Sequence, residues 1–337
     1  MKKFVSIIMS TILCVSIAVL AGCGSSAQTT SQHSTNTNGE EKIVRIAVQP
    51  GTIFAPLYIA RENGWIEEAL KDKNVKVQWT DFEAGPPMNE SFSAGQQDIG
   101  VLGDVPAVSA LAAGQDNVFI ADINGGESYA LLVKPDSSIK TAADLKGKKI
   151  GLVVGSTCQN FIEELLQKNG LSVKDVQLVN ISVGDSQTVL TNGNVDAVAI
   201  WDPVVTRLED NKSGHIIATG KDADVLGVNV IFARSQFVKD NPEITKIILE
   251  QYYRGAKEWQ EHPDKYGKEL QKYFKVEPKL FPIIAKKYDY KSTFNEQDIA
   301  ALEDTAKFLQ SIDAIHSQVD IKSHINNELI SQVINHK

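Results

Sequence analysis

Cysteine is nearly absent from this 337-residue chain, at positions 14, 23 and 158 only. Cys14 lies within an N-terminal apolar run and Cys23 just after it. That leaves Cys158 for the folded part, and a lone thiol forms no internal disulfide. Arginine is scarce too: Arg45, Arg61, Arg207, Arg234 and Arg254. The formal charge is −8, and loss of Lys2 and Lys3 would make it more acidic still. An acidic domain poor in arginine is a weak partner for nucleic acid or for an anionic bilayer surface. The six histidines (33, 215, 262, 316, 324, 336) show no metal-ligand spacing, so no metal and no cofactor are expected. No Gly-x-Ser-x-Gly elbow and no internal repeat occur, and no histidine is placed by sequence to activate Cys158, so an enzyme is not expected.

What is present begins with an address. Lys2-Lys3 precede an apolar run from Phe4 to Leu20, which is short for a membrane span, and Leu20-Ala21-Gly22-Cys23 follows. The order of basic start, apolar stretch and small residues is that of a secretory signal. With cysteine at its end it resembles the lipobox of bacterial lipoproteins, which implies a signal peptide over 1–22 and lipidation of Cys23. Residues 23–41 are rich in Ser, Thr, Gln, Asn and Gly and bury nothing, so they read as a flexible tether. The expected location is the outer face of the cell membrane, with the chain held by its lipid.

From Lys42 onward, β-branched runs alternate with helical patterns. Strands are expected at 43–48, 75–82, 98–102, 119–121, 130–133, 149–153, 176–179, 197–200 and 228–233. Helices are expected at 56–70, 88–95, 106–113 and 157–169, the last stopped by Gly170. Asn241-Pro242-Glu243 opens a further helix, and Thr293-Phe294-Asn295-Glu296 offers a capping box for a late one. The alternation predicts an α/β fold with mainly parallel sheets flanked by helices.

Several segments then fall in a telling order. Phe54-Ala55-Pro56-Leu57-Tyr58-Ile59-Ala60-Arg61-Glu62-Asn63-Gly64-Trp65 comes first. Phe82-Glu83-Ala84-Gly85-Pro86-Pro87-Met88-Asn89-Glu90 and Gly103-Asp104-Val105-Pro106 follow. Asp144-Leu145-Lys146-Gly147, Val154-Gly155-Ser156 and Ala199-Ile200-Trp201-Asp202-Pro203 complete the set. Together they resemble the solute-binding proteins of ABC importers for aliphatic sulfonates, taurine and nitrate, from about Lys42 to the C-terminus. The resemblance implies a two-lobed periplasmic-binding-protein-like fold of type II. Residues 42–132 plus 233–337 would form one lobe and 133–232 the other, with ligand between them. It also implies a monomer that captures a small anionic or zwitterionic ligand and delivers it to an ABC permease. The Phe-x-x-Gly-Pro-Pro-x-x-Glu stretch is nearest the alkanesulfonate branch. Taurine, nitrate, bicarbonate and a thiamine pyrimidine precursor remain alternatives.

Ten residues are expected at the ligand. Gly155, Ser156 and Thr157 join a strand to a helix, whose first N–H groups lack internal partners and whose dipole is positive there. Ser156 equally suits a plain N-cap, with Gln159 completing a capping box. Gly85 and Pro86 form a second strand-to-helix turn, and Gln49 supplies a neutral donor after the first strand. Phe54 and Trp201 suit the walls of an apolar tail, or plain core. Asp104 and Asp202 each precede a proline and suit helix capping. If instead they face the cleft, together with Glu127, the ligand should carry an amine. Taurine-binding relatives tend to carry an acidic residue where this chain has Asn229, which puts a simple alkanesulfonate slightly ahead.

Overall fold

The computed structural model describes residues 41–124 and 128–335. Cys23, the 1–22 segment, nearly all of the tether and Glu127 lie outside the described residues. Eleven strands form two sheets. The first holds β1 (Lys42–Val48), β2 (Val75–Asp81), β3 (Ile99–Gly103), β4 (Asn117–Asn124), β10 (Val228–Arg234) and β11 (Asp289–Ser292), in the order β11-β4-β10-β3-β1-β2. The second holds β5 (Tyr129–Val133), β6 (Lys149–Leu152), β7 (Gln177–Asn180), β8 (Ala197–Trp201) and β9 (His215–Thr219), in the order β7-β6-β8-β5-β9.

Strand direction explains the connectivity. In the first sheet β1, β2, β3 and β4 run one way, and β10 and β11 run against them. In the second, β5 alone opposes β6, β7, β8 and β9. Each of β5 and β10 is the strand that follows a crossing between sheets. The chain therefore leaves the first sheet after β4 and returns with β10. The expected lobe limits at 132/133 and 232/233 fall late by a few residues at each crossing. An apolar run such as Ala130–Val133 carries no mark of the sheet it joins, and only its pairing with β8 and β9 assigns it.

Helices cover both faces of both sheets, as buried apolar side chains require. In the first lobe Val44, Ile46 and Val48 point into one cluster with Tyr252 and Trp259 of the helix Pro242–Glu261. Ala47 points into another, with Met88, Val108 and Leu302. In the second lobe Ile150 and Leu152 pack on Phe161 and Leu165, while Val198 and Ile200 pack on Leu190 and Leu208. The expected single helix from Pro56 to Leu70 is two, Ala55–Glu62 and Trp65–Leu70. Gly64 parts them at φ +62, a left-handed turn that glycine adopts without cost. The helix expected at 88–95 starts earlier, at Gly85, because Pro86 and Pro87 fit a first turn that needs no N–H donors. The late helix Glu296–Ser311 is capped by a box, but two residues further along than expected. Asn295 accepts from the Gln297 and Asp298 N–H groups, and the Asp298 carboxylate accepts from the Asn295 N–H. No helix among the described residues is long and apolar enough to cross a membrane.

Candidate ligand-binding cleft

Both sheets present one edge to a shared cleft. The C-terminal ends of β1, β2, β3, β6 and β8 lead into it. The N-terminal ends of the reversed strands β5 and β10 meet it at the same edge. The cleft encloses about 540 Å³ of empty space, with the open solvent at its mouth included. From the first lobe come Gln49, Ile53, Phe54, Gly85, Gly103, Pro106, Asn229 and Tyr288. From the second, and from the crossing into it, come Ser128, Tyr129, Ser156, Thr157, Cys158, Trp201 and Asp202.

Seven of the ten expected residues are therefore at the cavity wall: Gln49, Phe54, Gly85, Ser156, Thr157, Trp201 and Asp202. Pro86, Gly155 and Asp104 stand just behind it. Pro86 and Gly155 face each other across the lobes, with Pro86 Cγ 3.5 Å from where a Cβ on Gly155 would be. Asp104 is buried, and its carboxylate accepts from the Val105 N–H at 2.7 Å, from the Thr305 hydroxyl at 3.1 Å and from the Thr157 hydroxyl of the other lobe. Burial holds its carboxyl above the ordinary range, against the pull of those donors. It is the first residue of the helix Asp104–Ala112, after the N-cap Gly103. Gly103 carries no Cβ because one would lie 2.6 Å from the Thr157 Oγ1.

The Ser156 turn differs from the capping expectation. The Ser156 hydroxyl donates to the Val153 carbonyl at 2.7 Å and caps nothing. The Gln159 side chain accepts from the Gly155 N–H at 2.9 Å, and the Ser156 N–H bonds to the Val153 carbonyl at 3.3 Å. The helix proper begins at Thr157, so the N–H groups of Thr157 and Cys158 are the ones the helix leaves open, and both residues line the cavity. Helices Gly85–Ser93 and Asp104–Ala112 start at the same wall. Gln49 is oriented by its amide, which donates to the Val101 carbonyl at 2.9 Å. Thr52 and Tyr288 share a hydroxyl contact of 2.6 Å that fixes the aromatic wall.

Asp202 is buried and fully engaged. Its Oδ1 accepts from the Thr206 N–H at 2.9 Å and the Thr206 hydroxyl at 2.7 Å, so it satisfies a first-turn N–H of the helix Val204–Asp210, whose N-cap position is Pro203. Its Oδ2 accepts from the Lys287 ammonium of the other lobe at 2.7 Å. Cys158 is buried, and burial, reinforced by the nearby Asp104 charge, pushes its thiol far up, away from the reactive thiolate. The lining residues that the sequence did not single out are Ile53, Ser128, Tyr129 and Tyr288. Gly103 and Pro106 come from the Gly103-Asp104-Val105-Pro106 segment, and Asn229 arrives on the reversed strand β10.

The class defined here is a two-lobed α/β clamp, the fold of the periplasmic binding proteins, with a small-molecule cleft between lobes. The family model described as NMT1/THI5 like matches residues 52–266, and the chain belongs to that family. A relative from Bacillus subtilis (strain 168), named as an aliphatic sulfonates-binding protein, is 28% identical over 99% of this chain and 97% of its own length. Two solved structures share the fold. The alkanesulfonate-binding protein of Xanthomonas axonopodis pv. citri bound to MOPS superposes with a TM-score of 0.77, at 24% identity over 86% of this chain and 99% of that one. The periplasmic aliphatic sulphonate binding protein of Escherichia coli gives 0.75, at 26% identity over 86% and 93%.

Proposed function

We propose that this chain is the lipid-anchored, extracytoplasmic solute-binding subunit of an ABC importer, and that it captures a small organic sulfonate between its lobes. The observation that carries this is the composition of the cleft wall. Helix starts converge on it, with the Thr157 and Cys158 N–H groups open, while Phe54, Ile53, Trp201 and Tyr288 supply an apolar side. An anionic head on a helix N-terminus and an alkyl tail on aromatics satisfy both halves. The names of the relatives support the same reading. The proposed activity is binding and release of that ligand.

A thermal-shift screen tests it, with alkanesulfonates, taurine, nitrate, bicarbonate, sulfate and a thiamine pyrimidine precursor. A ligand that binds only the folded state at about 100 times Kd adds about 2.7 kcal/mol of stability. The largest shift is expected from a short-chain alkanesulfonate. A shift from the pyrimidine alone would overturn the sulfonate assignment. The tether has its own test: Cys23→Ala should move the protein from the membrane fraction to the soluble one. Retention of the variant on membranes after a high-salt wash would refute lipidation as the anchor.

A further inference from the structure

Among the described residues Asp202 is the one carboxylate at the cavity wall, and on its own it would repel a sulfonate. Its side chain is 0% exposed, and Lys287, whose side chain is 19% exposed, reaches across from the first lobe to place its ammonium 2.7 Å from Oδ2. Lys287 also donates to the Thr206 hydroxyl at 2.9 Å, and Thr206 donates to Asp202 Oδ1. Three side chains from two lobes thus form a closed, internally neutral unit.

We infer that Lys287 sets ligand class: by neutralising Asp202 when the lobes close, it makes the cleft select a sulfonate with an uncharged tail over one that carries an ammonium group. This rests on the sulfonate reading above and deepens it. The physical reason is pairing. A ligand ammonium is stabilised in a dry cleft only by an unspent anion or acceptor, and its desolvation otherwise goes uncompensated. Asp202 is spent on Lys287 and Thr206. Asp104 is spent on Thr157, Thr305 and the Val105 N–H, behind the wall. Asn229, the remaining polar side chain of β10 at the cavity, is neutral and donates to the Gly227 carbonyl at 3.0 Å. Among the described residues no unpaired charge is left at the wall for an amine, while an uncharged tail meets Phe54, Trp201 and Tyr288.

Ethanesulfonate and taurine differ by one amine and make the matched pair. Titration calorimetry on the protein should show ethanesulfonate bound at least about tenfold more tightly. Lys287→Met unmasks Asp202 and should narrow or reverse that ratio by about tenfold. Lys287→Arg should keep it. Lys287→Met strands a buried charge and can loosen the fold, so the double variant Lys287→Met/Asp202→Asn, which removes both charges, is the control and should recover the preference for ethanesulfonate. A parent that prefers taurine, or a Lys287→Met variant that weakens both ligands equally while the double variant does the same, would overturn the role of Lys287. A parent that binds neither sulfonate would overturn the sulfonate reading itself, and the inference with it.

Discussion

Gly155 has φ +77, a left-handed conformation that asparagine and aspartate tolerate better than other side chains. Gly155→Asn and Gly155→Asp therefore impose similar strain and differ only in charge, next to the open helix start. Calorimetry should find the Asp variant about tenfold or more weaker than the Asn variant for the best sulfonate. Equal affinities would place the anion elsewhere in the cleft. Asp122 offers a residue-scale test of stability. It is buried in β4, and burial first, then the charges of Asp298 and Asp289, push its carboxyl up to about 8. In the unfolded chain an aspartate titrates near 4. Between those values the native state holds a proton that the unfolded state has lost. This group's contribution is complete below about pH 4 and falls as pH rises toward 8. Thermal midpoints should be higher at pH 5 than at pH 8, and Asp122→Asn should flatten the difference and stabilise at pH 8 by a few kcal/mol. An unchanged pH profile in the variant would remove Asp122 as its source.

At the scale of elements, the late helix separates local signal from folded fact. The sequence pattern proposes Thr293 and Glu296 as its capping pair, whereas Asn295 and Asp298 close the box. Both pairs have the same three-residue spacing. What decides is Phe294, which is 5% exposed and held by a reciprocal exchange with Asn327: its N–H donates to the side chain and its carbonyl accepts from it. That anchor keeps Thr293 and Phe294 outside the helix. Asn295→Ala should cost about 1 kcal/mol in denaturant unfolding, and Thr293→Ala should cost a few tenths at most. The reverse order would mean that the box is set by the threonine. The helix Thr157–Lys168 shows the converse case. Its range was legible from periodicity and from Gly170, but the roles within its first turn were not. Ser156 and Gln159 spend their polar atoms on Val153 and Gly155, and the open N–H groups move on to Thr157 and Cys158.

For the whole molecule, the bonds between lobes define a closed arrangement. Thr157 donates to Asp104, Lys287 to Asp202, and the Val183 N–H to the Glu83 carboxylate at 3.1 Å. Lys279 adds an ion pair to Asp210 at 3.3 Å. Parting the lobes would break all of them, and a ligand that touches both lobes would favour the state that makes them. Small-angle scattering should show a smaller radius of gyration with saturating ligand than without. Thr157→Val, which keeps the helix N–H and removes the cross-lobe donor, should weaken binding about tenfold by raising the free energy of closure. Full affinity in that variant, with an unchanged radius in the parent, would rule out closure as the step that captures ligand.

The sequence by itself determined the α/β alternation, the strands and helices that carry strong periodicity, and the strand-to-helix turns where Gln49, Gly85, Ser156, Thr157, Trp201 and Asp202 reach the cavity. Those features are local, because side-chain spacing and backbone preference act over a few residues. Tertiary structure alone decided which sheet β5 and β10 join, that Asn229, Tyr129 and Tyr288 share a wall with Ser156, and that Asp104 and Asp202 are already partnered. Those outcomes depend on pairing between residues as far apart as Asp202 and Lys287, or Asp104 and Thr305. No local pattern encodes such contacts, since they arise only when two lobes built from interleaved chain segments close on one another.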